Sequence, residues 1–156
     1  MSKNTGFTLI ELVVVIVILG ILAAVAAPKF INLKPEAETA TLNAIKASMD
    51  GASSLVHGKA IVKGIHKLPQ SDSPTVKVAG KTLTLHYGYP LIVKADWQKI
   101  IDIDETIYTY LIVAGALTVY FSDKTAPTTL LDNCIVYYKE PTGLGEKPEI
   151  KVNPCT

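Results

Sequence analysis

Gly6-Phe7-Thr8-Leu9-Ile10-Glu11-Leu12-Val13-Val14-Val15-Ile16 is the stretch on which the reading of this chain turns. It opens an apolar run that lasts to Ala27 and sets fourteen Leu, Ile, Val or Phe residues against one charge, Glu11. As a helix, Phe7 to Ala27 spans about 31 Å, the thickness of a bilayer's hydrocarbon core. The residues ahead of it, Met1-Ser2-Lys3-Asn4-Thr5-Gly6, are short, polar and basic, and Lys29 flanks the far end. The simplest orientation keeps the basic leader in the cytoplasm and carries the larger remainder across.

Three fates are open to such a segment. Signal peptidase could cut at Ala24-Val25-Ala26, a small-residue site, and discard the run. The run could stay as a passive anchor. Or a cut could fall before it, leaving the apolar helix on the mature chain. Glu11 discriminates among these. A carboxylate within a span costs up to about 3 kcal/mol, less near an end, whereas each strongly apolar residue contributes about −0.4 kcal/mol. The span therefore inserts, but a passive anchor has no use for the acid. A cut after Gly6 gives Phe7 a free amine four residues from Glu11, on the same helical face. At low dielectric those opposite charges attract strongly, within one chain or between neighbours.

The order and spacing of Gly6-Phe7-Thr8-Leu9-Ile10-Glu11 before an unbroken apolar run resemble the N-terminus of type IV pilins (type IVa-like) and pseudopilins. With Ala27-Pro28-Lys29-Phe30 included, the segment is most similar to mannose-sensitive haemagglutinin pilins. The resemblance covers Gly6 to about Phe30; beyond it only the architecture corresponds. It implies that prepilin peptidase cuts between Gly6 and Phe7 and methylates Phe7, and that Glu11 pairs with the N-terminus of an adjacent subunit. It further implies a structural subunit, anchored in the inner membrane as precursor and polymerised by an assembly platform into an extracellular filament. Adhesion to host or abiotic surfaces follows, with motility if the fibre retracts. Two alternatives stand beside this: a pseudopilin or minor pilin of a type II secretion-like apparatus, and a glycan-binding pilin adhesin using Tyr87-Gly88-Tyr89.

Downstream, Leu42, Ile45, Met49, Ala52 and Val56 recur at spacings of three and four, one apolar helical face, and Gly64 is a good stop. Pro35 fits a first-turn position. Pro28 and Gly20 weaken the preceding helix; whether Pro28 loosens it or simply ends it stays open at this stage. The remainder reads as antiparallel β. Hairpins are expected about Gly80 and Ala114-Gly115, with a short helix over residues 95–101 and last strands at residues 134–139 and 149–152. The predicted class is thus α+β. A long N-terminal helix, membrane-spanning then amphipathic, packs on a small antiparallel sheet. Residues 1–6 are the leader, 7–28 the membrane helix, 29–64 the amphipathic helix and 65–156 the β-rich head.

Cys134 and Cys155 are the two cysteines. Outside the cytosol they are expected to pair, closing residues 134–155 into a loop worth roughly 3 kcal/mol; two reduced core thiols are the alternative. Paired C-terminal cysteines also resemble the D-region of type IV pilins. The fifteen basic side chains are all lysine, spread along the chain, so bidentate guanine or phosphate forks are lacking and no nucleic-acid partner is expected. No phosphate loop, nucleophile elbow or zinc spacing occurs, so no enzyme activity, cofactor or metal is expected. His57, His66 and His86 read as structural, the first two solvated. Asp102, Asp104 and Glu105 read as a solvated turn lacking EF-hand spacing, and Tyr87, Tyr89 and Trp97 as packing around the sheet.

Overall fold

The computed structural model describes residues 6–31 and 33–156. The leader residues 1–5, with the Lys3 charge, lie outside the description, as do the side chains of residues 28–32. The chain divides into two compact units, Met1–Pro35 and Glu36–Thr156.

In the first unit, helix α1 runs over Leu9–Ile31. It continues past Pro28, so the reading in which that proline ends the helix does not hold here. A proline inside a helix deletes one amide donor, and the neighbouring turns still carry the backbone. Every large apolar residue from Leu9 to Val25 is exposed, the mark of a surface built for an apolar medium or another helix.

Helix α2 covers Leu33–Val62 with Pro35 in its first turn. It ends in a Schellman motif: Ile65 N–H donates to the Ala60 carbonyl and Gly64 N–H to that of Ile61, with Gly64 at φ 71°. Its buried stripe is the one the spacing anticipates, Leu42, Ile45, Met49 and Val56, extended by Ser53 and Ala60.

That stripe serves two sheets rather than one. Strands β1 (Thr75–Val78), β2 (Lys81–His86) and β3 (Tyr89–Pro90) form the first, and β4 (Tyr108–Val113), β5 (Ala116–Phe121), β6 (Ile135–Lys139) and β7 (Glu149–Asn153) the second, all antiparallel. Leu42, Ile45 and Met49 pack with Leu117, Val119, Val136 and Tyr138 of the second sheet. Two turns further on, Val56 and Ala60 pack with Val76, Val78, Leu83 and Leu85 of the first. Helix α3 (Lys94–Ile100) joins the layers. Its fully buried Trp97 donates Nε1–H to the Leu91 carbonyl at 2.9 Å and lies 4.5 Å from the Tyr138 ring, whose hydroxyl donates to the Pro90 carbonyl at 2.6 Å.

The hairpin turns share one device. Ala79-Gly80, Tyr87-Gly88 and Ala114-Gly115 each place both central residues at positive φ, the turn whose twist matches paired strands. The middle one, which leads into the two-residue β3, is the turn sequence reading passes over.

Candidate functional site

The segment expected from the sequence to carry processing and assembly sits where α1 begins. Residues 6–8 are outside any helix, and Phe7 is 76% exposed. A Cβ at Gly6 would meet no atom within 4 Å, so the backbone on the leader side of the Gly6–Phe7 bond is open. Thr8 is the N-cap. Its N–H and Oγ1–H donate to Glu11 Oε2 at 2.8 and 2.6 Å, and Glu11 N–H reaches back to Thr8 Oγ1 at 3.4 Å. This is a capping box, in which two residues satisfy each other's unpaired amides at a helix start. The consequence for processing is direct. The cap lies downstream of Gly6–Phe7, so a cut there leaves the Thr8–Glu11 hydrogen bonds in place.

Thr8 escapes a reading that looks only for charge. Its signal is nonetheless present as a Thr-x-x-Glu pattern ahead of an apolar run. The box also gives Glu11 an occupation within its own chain, which any assembly role has to share. Eight apolar side chains follow Glu11 before Gly20, and the span Leu9–Ala27 has a mean hydropathy of 3.1 with none of it buried.

The first 27 residues match the profile of the prokaryotic N-terminal methylation motif. In this the N-terminus is similar to that of type IV pilins. A protein of Thermus thermophilus, the type IV narrow pilus major component PilA5, is 47% identical over 63 residues, which is 40% of this chain and 53% of that protein. The chain thus spans about half the length of the curated relative it matches. No solved structure matches. The helix Leu9–Ile31 holds a span long and apolar enough to cross a membrane, and the part of the chain that follows has an α+β, pilin-like architecture.

At the other end of the chain Cys134 and Cys155 are joined, with Cα atoms 4.1 Å apart. The bond lies against α2: Cys155 N–H donates to Thr39 Oγ1 at 2.9 Å, and Glu38, 3.8 Å from Cys134 Sγ, is paired with Lys124 at 2.8 Å. Among the described residues Glu38, Cys134 and Cys155 are the group whose ligand atoms converge, but the sulfurs are consumed by the disulfide.

The histidines depart from expectation. His57 and His66 are half-buried rather than solvated: His57 stacks on Tyr89 at 4.1 Å and 5°, and His66 meets His57 edge-on at 6.2 Å. The cause is Gly88. A Cβ there would stand 2.7 Å from His57 Nδ1, so only a glycine lets the helix side chain close over the turn. His86 accepts a hydrogen bond from Gln70 N–H at Nδ1, 3.0 Å, a structural role. Tyr89 is buried, so of the two tyrosines offered for glycan contact only Tyr87 keeps a surface that is not already packed away, and Trp97 is packed as expected. Asp102, Asp104 and Glu105 are exposed, and Asp104 accepts from the Thr106 N–H and hydroxyl at 2.9 and 2.7 Å, which holds its carboxyl below the usual range.

Proposed function

We propose that the chain is a structural subunit of a type IV pilus. Cleavage after Gly6 frees Phe7, methylation follows, and subunits polymerise through α1 into a surface filament that serves adhesion. The observation that carries this reading is the coincidence of three features in one turn. They are a methylation-motif N-terminus, a helix cap positioned to survive the cut, and one carboxylate at the head of a wholly exposed apolar helix. Polymerisation buries that helix against its neighbours, and the Phe7 amine of an adjacent copy supplies the charge that Glu11 lacks in an apolar surrounding. An inner-membrane assembly platform and a host or abiotic surface are the further partners, and the Cys134–Cys155 bond ties down the end of the head.

Intact-mass measurement of the mature chain tests the proposal. Methyl-Phe7 as first residue, together with fibres sheared from cells, is the expected result. A mature chain beginning near Ala27 would mean the apolar helix is discarded, and the reading fails.

A further inference from the structure

The head carries two exposed patches of opposite sign that processing and anchoring do not use. The first is a groove of about 580 Å³ between α2 and β1, lined by exposed Leu55 and Val62 over buried Val76. Lys59, Lys63 and Lys77 rim it. Two of these are held in place, since Lys59 Nζ donates to the Lys77 carbonyl at 3.0 Å and Lys63 Nζ to the Thr75 carbonyl at 3.4 Å. Both acceptors belong to β1, an edge strand of its sheet, so the lysines also obstruct strand addition there. Among the described residues none of the three has a carboxylate at ion-pair distance.

The second patch is the turn after α3. Asp102, Asp104 and Glu105 are exposed beside Ile107, itself 49% exposed. Glu105 meets Lys94 at 3.5 Å, so three carboxylates less one lysine leave two uncompensated negative charges.

We propose that the acidic turn of one copy docks in the lysine-rimmed groove of the next, a contact that rests on the pilus-subunit reading. Ile107 lies on Leu55 and Val62, and the carboxylates face the three ammonium groups. Each patch is apolar at its centre and charged at its rim, with opposite signs, which fixes the register of the pair. Two different surfaces of one chain make a heterologous contact, and such a contact repeats into an open helix wherever its rotation does not close a ring. The groove is lined by eight residues, against roughly 20–30 a side in a stable interface, so isolated heads stay monomeric. Held side by side by their anchors, the same heads meet at high effective concentration and the contact forms.

Sheared wild-type fibres treated with a carbodiimide, which joins an ammonium to a touching carboxylate as an amide, test it. Dimers are separated from monomers, digested and their linked peptides identified, the monomer band controlling for links within one copy. Lys59, Lys63 or Lys77 joined to Asp102, Asp104 or Glu105 in the dimer alone is expected. Dimers linked only through other acids overturn the contact while leaving the pilus reading intact; a chain that is processed as proposed yet forms no fibres sinks both. As a second measurement, Lys77→Glu lowers fibre yield several-fold and Asp102→Lys in the same chain restores it. Wild-type yield from Lys77→Glu alone overturns the proposal, as does lysine-dependent retention of heparin by fibres that give no such links.

Discussion

Glu11 caps its own helix and is proposed to answer a neighbour's amine, and the two roles can be separated. Glutamine serves at the third helical position of a capping box as glutamate does, but carries no charge. Glu11→Gln therefore keeps the start of α1 and removes the charge, whereas Glu11→Ala removes both. Both variants are expected to be cleaved normally and to give few or no fibres, counted by electron microscopy; abundant fibres from Glu11→Gln would reduce the residue to a cap. Another carboxylate, Glu140, sets a pH dependence for the head. It is half-buried, its Oε2 has no hydrogen-bond partner among the described residues, and burial raises its pKa, with nearby His86 opposing. A folded-state pKa above the unfolded one means the folded chain holds this proton more tightly. The ionised form thus opposes folding at neutral pH, and the penalty fades as pH falls through the raised value. Glu140→Gln should then melt higher than wild type at pH 7, with the gap closing near about pH 4, where the unfolded chain's carboxylates also protonate. Equal melting at pH 7 would contradict this. Glu11 was legible because charge in an apolar run is conspicuous. Glu140 was not, because its burial comes from partners distant in the chain and its neighbours Lys139 and Pro141 look like a solvated turn.

The elements were legible where one residue decides them and obscure where two distant ones must meet. Gly64 stops α2, and Gly80 and Gly115 turn hairpins, each by local backbone geometry that composition announces. The Tyr87-Gly88 turn uses the same geometry, yet Pro90 so soon after it disguises a strand that pairs over only two residues. Nor could spacing divide the sheet in two, since that depends on α2 handing its stripe from one set of strands to the other. Gly88 is the position where turn and packing coincide. At φ 83°, with His57 Nδ1 in the way of any Cβ, Gly88→Ala should cost about 1–3 kcal/mol in chemical denaturation. Gly80→Ala, where φ is 78° but the space is open, should cost less, because only the backbone term remains. The C-terminal staple makes a further prediction. Replacing Cys134 and Cys155 together by serine releases a crosslink of sequence separation 21, about 3 kcal/mol in the loop-entropy description, and lowers the melting temperature of the head. Since Cys155 N–H is bonded to Thr39, the freed tail should also become the first site of proteolysis. A double variant as stable and as resistant as wild type would show the bond to be dispensable.

At the scale of the whole molecule, each residue of the buried core lies in the second unit, from Leu42 onward. A chain beginning at Glu36 therefore keeps that core and should unfold in a single cooperative transition, measured by circular dichroism. Loss of cooperativity would mean the first unit is needed for folding. The division into greasy helix and packed head was the most legible property of the sequence, because composition changes abruptly at Pro28. Which exposed residues share a patch was the least legible, since lysines from a helix and a strand become one groove only after folding. One buried side chain has a practical corollary. Trp97 is the only tryptophan in the chain and has no exposed surface, so its fluorescence comes from a dry, rigid setting at the junction of both sheets. Emission should be blue-shifted in the intact head and move red when it opens. Because α1 has no tryptophan, the same light is silent about the anchor, and one cuvette can follow the head's integrity inside an assembled fibre.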